Sequence, residues 1–185
     1  MLGLAREHRR CDVGQQWQWD GVSFEVLHPT VVDHARDAKP NAVSCVLRVT
    51  DAQGRSALLT GDIEAPQEAA LVARLGQALR STLLLVPHHG SKTSSTGAFL
   101  DAVQPQVALV QAGYRSRFGH PAPEVLARYQ ARGIMVVRSD RCGAWTWSDG
   151  AFECARDTRR RYWHWADAAL GAEVASPGDV GEKRP

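Results

Sequence analysis

The spacing of apolar residues changes along the chain, and each change predicts a different element. Residues 22–27 are a short apolar run that follows Asp20-Gly21 and stops at His28-Pro29, which predicts a strand entered through a tight turn. Residues 30–42 are polar and irregular. Two further strands, 44–49 and 57–60, flank Asp51-Ala52-Gln53-Gly54, the signature of a hairpin with glycine in its turn. Beyond Thr60 the period becomes helical. Leu71, Val72, Leu75 and Leu79 share one face of a helix predicted over 66–80, with Pro66 tolerated in its first turn. A continuous apolar strand at 82–86 ends at Pro87. Ser94 or Ser95 caps a helix running to about residue 103. A strand at 107–110, a helix at 123–132 closed by Gly133, and a strand at 134–137 follow. A last hairpin pairs 143–147 with 151–154 around Ser148-Asp149-Gly150.

Strand and helix therefore alternate from residue 57 to 137, with hairpins at both ends, and this predicts an α/β layered architecture over residues 1–155. From residue 156 the pattern is lost. Arg159-Arg160-Arg161 precedes Trp163-His164-Trp165, and the segment 156–185 reads as a basic, loose tail. Three W-x-W triplets begin at Trp17, Trp145 and Trp163, too unevenly spaced for a repeat architecture.

Composition narrows the class without naming a function. The 185 residues are 44% hydrophobic and 23% charged, values of a globular chain with room for one substantial domain. No apolar run approaches the roughly 18–20 residues of a membrane helix, and the three arginines among residues 1–11 lead into no signal-peptide core. The chain on its own is thus expected to be soluble. A net charge of +2 does not imply nucleic acid. All but Lys39, Lys92 and Lys183 of the 22 basic residues are arginine, which suits phosphate recognition but also follows from a GC-rich genome. Cys11, Cys45, Cys142 and Cys154 form no CxxC pair. They allow three pairings, and Cys142 and Cys154 flank a hairpin; buried free thiols are the expectation.

The candidate chemistry lies in three loops, each after a buried strand. They are Thr60-Gly61-Asp62, then Pro87-His88-His89-Gly90-Ser91-Lys92-Thr93-Ser94-Ser95, and then Gly113 to Pro121, with Arg115, Arg117 and His120. Ligands gather beyond the carboxyl ends of strands in α/β sheets. Asp62, His88, His89 and His120 offer the carboxylate and imidazole donors of a first-row divalent metal. Ser91, Thr93 and Ser94 offer hydroxyls to an anion, and Lys92, Arg115 and Arg117 add positive charge.

Taken together and in this order, Thr60-Gly61-Asp62, Pro87-His88-His89-Gly90-Ser91 and Phe118-Gly119-His120-Pro121 resemble the metallo-β-lactamase fold. Cys11 to Trp17, Trp19 to Val22 and Asn41 to Leu47 extend the resemblance to the C-terminal domain of the ComEC family of competence DNA-uptake proteins. The resemblance covers roughly residues 10–155. It implies a four-layer αββα sandwich with one or two metal ions, manganese or zinc. Asp62 would ligate them, with His89 as the distal imidazole and His88 second choice or an orienting neighbour. His120 would contact the phosphate or protonate the leaving group, while Ser91, Lys92, Thr93, Ser94, Arg115 and Arg117 would bind phosphate. The implied activity is metal-dependent nuclease or phosphodiesterase, with DNA as partner and a soluble, periplasmic domain on an inner-membrane channel. Alternatives are hydrolysis of another ester, and a non-catalytic DNA-binding or assembly remnant. The family's first metal motif, of the form HxHxDH or HxDxDH, belongs upstream of Cys11 and does not occur in this sequence. The chain is therefore expected to be a partial sandwich, inactive alone, whose partner is the upstream half of the domain.

Overall fold

A computed structural model describes residues 9–35, 38–114, 116–148 and 151–159; Arg115 and the tail from residue 160 lie outside these. The chain opens as an antiparallel meander. β1 (Gln16–Trp19) returns through Asp20 and Gly21, both at positive φ, into β2 (Val22–His28). Two consecutive positive-φ residues are what a two-residue hairpin turn needs, and Asp-Gly supplies them. α1 (Val31–Ala35) and a 3-10 turn at Pro40–Val43 lead to β3 (Val46–Thr50) and its hairpin partner β4 (Ser56–Leu59). Crossovers then alternate: α2 (Ala65–Leu75), β5 (Leu83–Leu85), α3 (Gly97–Val103), β6 (Val107–Val110), α4 (Pro123–Gln130) and β7 (Met135–Arg138). After α5 (Ser139–Cys142), the separate hairpin of β8 (Trp145–Ser148) and β9 (Ala151–Cys154) runs into α6 (Ala155–Thr158), past the boundary expected at residue 155.

The seven strands β1 to β7 lie in one sheet in sequence order. Pairing is antiparallel from β1 to β4 and parallel from β4 to β7. Successive right-handed crossovers moving in one direction place their helices on one face. Leu58, Leu84 and Ala108 share that face by register and form one buried core with Leu71, Leu79, Phe99, Leu100, Val125 and Tyr129 from the helical segments. Toward β1 the same face turns polar, with Gln16, Glu25 and Arg48 paired in a row and Arg48 bonded to Glu25.

The opposite face is apolar from edge to edge. Trp17, Phe24, Val49, Ala57, Leu83, Val107 and Met135 form one continuous register row across all seven strands. Val26, Leu47 and Leu59 form a second row beside it, as do Leu85, Leu109 and Val137. Most of these side chains remain partly exposed, and Trp17 is exposed outright.

Several sequence expectations are corrected. Gln16–Trp19 is a strand, because pairing with β2 stacks Trp17 on Phe24 at 5.0 Å. Residues 30–42 contain α1 and a 3-10 turn where irregular chain was expected. The helix predicted to reach residue 80 stops at Leu75, since Gly76 takes φ +50 and a 3-10 turn follows. The cap of α3 is Thr96, whose hydroxyl accepts from Phe99 N, rather than Ser94 or Ser95. The free-thiol expectation is overturned: Cys11 bonds Cys45 and Cys142 bonds Cys154. Among the described residues no helix is long and apolar enough to cross a membrane.

A sheet face of this size left partly in water drives association. The purified chain is expected to self-associate with rising concentration in sedimentation velocity and to bind a hydrophobic dye. A compact monomer at high concentration, with cooperative melting and no dye binding, would show that the chain closes this face by itself.

Candidate functional site

Parallel strands β4, β5 and β6 end on the same edge of the sheet, so the loops that follow them meet. The β4 loop is tied to its neighbour twice: Thr60 Oγ1 donates to Leu85 O at 2.7 Å, and His88 N donates to Gly61 O at 3.0 Å. The Asp62 amide donates to Ser44 Oγ at 3.2 Å. Beyond β5 a 3-10 turn spans Pro87–Gly90, and both histidines in it hold left-handed backbone, His88 at φ 49 and His89 at φ 55. Two successive non-glycine residues in that region are rare, and persist where their surroundings over-determine them.

The turn aims the two imidazoles at different partners. His89 Nδ1 lies 2.9 Å from the carbonyl oxygen of Gln111. A carbonyl only accepts, so Nδ1 carries the proton, and in the neutral ring Nε2 keeps a lone pair. Nε2 lies 3.6 Å from Asp62 Oδ1. His88 is engaged at both nitrogens: Nδ1 lies 3.2 Å from Glu64 Oε1 and 3.4 Å from Thr93 Oγ1, and Nε2 lies 3.4 Å from Asn41 Nδ2. His89, and not His88, is therefore the imidazole beside Asp62.

His120 joins from the β6 loop, its ring centroid 6.0 Å from that of His88. Its Nδ1 is buried with no hydrogen-bond partner among the described residues. Burial draws its pKa below the ordinary 6.5, and the nearby charges of His88 and His89 act in the same direction. Ser91 Oγ lies 3.1 Å from Thr93 Oγ1, which donates to Glu64 at 2.9 Å. Ser94 is fully buried and donates to Pro87 O and Ser91 O, so its hydroxyl works inside the loop. Lys92 pairs with Glu124 at 3.7 Å, and the Arg117 guanidinium lies over Phe118. Arg115 lies outside the described residues.

Glu64, Asn41 and Ser44 were not assigned from sequence. Glu64 stands at the N-cap of α2 in a capping box with Gln67, a signal for a helix start rather than for a site. Asn41 and Ser44 fall within the segment that resembles ComEC, which was their only signal. As a metal site the cluster is incomplete. Asp62 and His89 lie next to each other, but His88 is committed to Glu64 and Asn41. Among the described residues no group of three or more His, Cys, Asp or Glu side chains is placed to hold an ion. The residues present do not fit a closed metal centre.

No protein-family model matches the chain. It is similar to known competence proteins. Competence protein ComA of Neisseria gonorrhoeae is 45% identical over 136 residues, covering 74% of this chain and 19% of that protein. Uncharacterized protein YcaI of Escherichia coli is 39% identical over 139 residues, 75% of the chain and 18% of the relative. ComE operon protein 3 of Bacillus subtilis is 35% identical over 130 residues, 70% and 16% respectively. The chain thus spans less than a fifth of the length of these relatives.

A buried carboxylate fixes the loop that carries the hydroxyls. Glu68 on α2 has no exposed surface and accepts from Ser95 N and from Thr96 N at 2.8 Å. Arg128 donates to the carbonyls of Ser94 and Ser95, and Tyr129 OH lies 3.0 Å from Ser95 Oγ. Burial raises the Glu68 pKa above its ordinary 4.5, against the two amide hydrogen bonds that favour the anion. A carboxyl raised by folding stabilises the fold fully below 4.5 and loses that contribution as pH climbs through the raised value. Chemical denaturation from pH 4 upward is expected to show this decline, and Glu68→Gln to flatten it. Glu68→Ala is expected to cost about 2–5 kcal/mol by leaving two buried amides without acceptors. A pH profile identical in Glu68→Gln and the parent would remove Glu68 as the titrating group.

Proposed function

We propose that this chain is part of a DNA-uptake protein and supplies one side of a phosphodiester-hydrolysing site, in a partial metallo-β-lactamase-type sandwich. The observation that carries the reading is the convergence of Asp62, His89, His88 and His120 at the ends of three parallel strands, in a chain similar to competence proteins. The apolar sheet face supports the sandwich, because a second sheet is what such a face ordinarily packs against. The two disulfides support an oxidising compartment, as in a periplasmic domain of a membrane-bound parent. The partners in this reading are DNA, the channel portion of the parent and the segment that completes the sandwich.

In this reading Lys92 and Arg117, with Arg115, attract the phosphate backbone, and Thr93 and Ser91 line its approach. His120 is neutral in the free site. A phosphate close to the ring raises its proton affinity, so that it takes up a proton from solvent and passes it to the leaving oxygen. Glu64 and Asn41 orient His88. Asp62 and His89 present a carboxylate and a lone pair, and any manganese or zinc centre takes its remaining donors from outside these loops. The two-donor count also favours a second reading, a DNA-binding domain without turnover.

Labelled DNA incubated with manganese or zinc tests both. The chain alone is expected to cleave little or nothing. A longer protein that adds the segment preceding the ComA-like region is expected to cleave, with Asp62→Ala and His89→Ala abolishing turnover. In that protein His120→Ala is expected to lower kcat by about 10²–10⁴-fold, the scale of a lost general acid. Robust cleavage by the chain alone would overturn the need for further donors. Unchanged cleavage by Asp62→Ala would remove it from the reaction, and a longer protein that binds DNA but never cleaves supports the second reading.

A further inference from the structure

Ser139 stands one residue past the end of β7, and α5, which it opens, has no side-chain cap. Its hydroxyl reaches the neighbouring strand instead. β6 and β7 pair as far as Val110 and Arg138, where the ladder stops. Just beyond that point Ala112 N donates to Ser139 Oγ at 2.9 Å, and Ser139 Oγ donates to Ala112 O at 3.0 Å. A hydroxyl accepts and donates at once, so this one side chain holds both backbone groups of Ala112.

The Ala112 N–H belongs to the same peptide unit as the Gln111 carbonyl, and that carbonyl is the one His89 Nδ1 reaches at 2.9 Å. The unit is planar and trans, so its N–H and C=O point in opposite directions. Ser139 Oγ, the Gln111–Ala112 peptide and His89 Nδ1 thus form one chain of hydrogen bonds. The carbonyl cannot rotate away from the imidazole without breaking the bond to Ser139. The far end of the chain is anchored as well. The Arg138 guanidinium holds the Asp140 carboxylate at 2.7 and 3.0 Å, Arg156 Nη1 donates to Asp140 O at 2.6 Å, and Cys142 is bonded to Cys154.

Which nitrogen of a histidine carries the proton is set by the hydrogen bonds the ring makes. In the neutral ring of His89 two acceptors compete for one proton, the Gln111 carbonyl at Nδ1 and Asp62 Oδ1, 3.6 Å from Nε2. We propose that Ser139 is a positioning residue for His89: through the Gln111–Ala112 peptide it decides that competition for Nδ1 and fixes the orientation of the imidazole. The role in hydrolysis rests on the reading of the site given above; the tautomer is a property of the chain itself.

Nitrogen NMR of the isotope-labelled 185-residue chain, without divalent metal, tests it, with the pH raised until the imidazole signals stop moving. The signals lost in His89→Gln assign that ring. In the parent, His89 Nδ1 is expected at the shift of a protonated ring nitrogen and Nε2 at that of a bare one. In Ser139→Ala the two are expected to move toward each other, while His28 and His34, beside β2, keep their parent shifts. Ser139→Thr, which retains the hydroxyl, is expected to restore the parent pattern. A parent protonated at Nε2, or unchanged His89 shifts in Ser139→Ala, would overturn the proposal. So would an equal displacement of all the histidines, which is what a purely structural role produces. In the longer protein Ser139→Ala is expected to lower kcat about 10-fold with KM unchanged, the scale on which losing a histidine's orienting partner costs activity, and Ser139→Thr to recover it. If that protein does not cleave DNA, the hydrolytic reading falls and the nitrogen shifts alone decide the part played by Ser139.

Discussion

The contact between Gly90 and Pro121 sets the geometry of the whole cluster. A β-carbon on residue 90 would lie 2.6 Å from the Pro121 Cβ, a distance no real side chain tolerates, and Gly90 sits at φ +80, where other residues are strained. Ala122 N seals the approach by donating to Gly90 O at 2.9 Å. Gly90 directly follows His89 and Pro121 directly follows His120, so this one abutment joins the β5 loop to the β6 loop next to their imidazoles. Any side chain at residue 90 forces the loops apart and takes His120 away from His88. The left-handed conformations of His88 and His89 are part of the same constraint, because the turn must deliver residue 90 to that spot while its first histidine reaches back to Gly61 and its second to Gln111.

The antiparallel end of the sheet contributes to the site from the other side. Between β2 and β3 the chain is fastened by buried His28, which reaches Ala42 O at 2.9 Å and Asp33 at 3.6 Å, and by His34, which reaches Cys11 O at 3.0 Å and Asp12 at 3.1 Å. The Cys11–Cys45 disulfide closes the same region. What these contacts position is Asn41 against His88 and Ser44 against the Asp62 amide. The 3-10 turn at Pro40–Val43 and the residue after it thereby become a wall of the cluster, and the disulfide at Cys45, next to Ser44, belongs to the positioning of Asp62.

How much of this was legible follows from what each residue must do locally. The parallel strands and their helices were readable because their apolar residues are buried by the elements next to them in sequence. Leu71, Leu79, Leu84 and Ala108 announce a core through periodicity alone. β1 was missed although Gln16–Trp19 alternates polar and aromatic residues as a strand does, because the pattern runs for only four residues. Asp62, His89 and His120 stood out as chemistry-bearing residues just past buried strands, and those strands end on one edge. Glu64 reads locally as a helix cap paired with Gln67, and Asn41 as part of a polar loop; their contacts at the site come from His88, which lies 24 and 47 residues away in sequence. Ser94 and Ser95 look like surface hydroxyls in a polar run, but buried Glu68 and Tyr129 draw that run inward, and no periodicity encodes this.

The balance of charge in the cluster is the last constraint, and it bears on what the site is for. The Asp62 carboxylate lies 3.6 Å from His89 Nε2, and the Glu64 carboxylate lies 3.2 Å from His88 Nδ1. Glu64 is offset by the hydroxyl of Thr93 and by His88 Nδ1. Asp62 has a closest ionic neighbour 3.6 Å away that, in its neutral form, is itself an acceptor. Two acceptors turned toward one another repel unless a proton or a cation lies between them. Lys92 does not serve, because its ammonium pairs with Glu124. Folding has thus brought a carboxylate and an imidazole together on loops that backbone hydrogen bonds, a buried carboxylate and a glycine–proline contact keep from relaxing apart. A carboxylate and an imidazole fixed in this way cannot relax apart, so the pair keeps its place whether a proton or a cation lies between them.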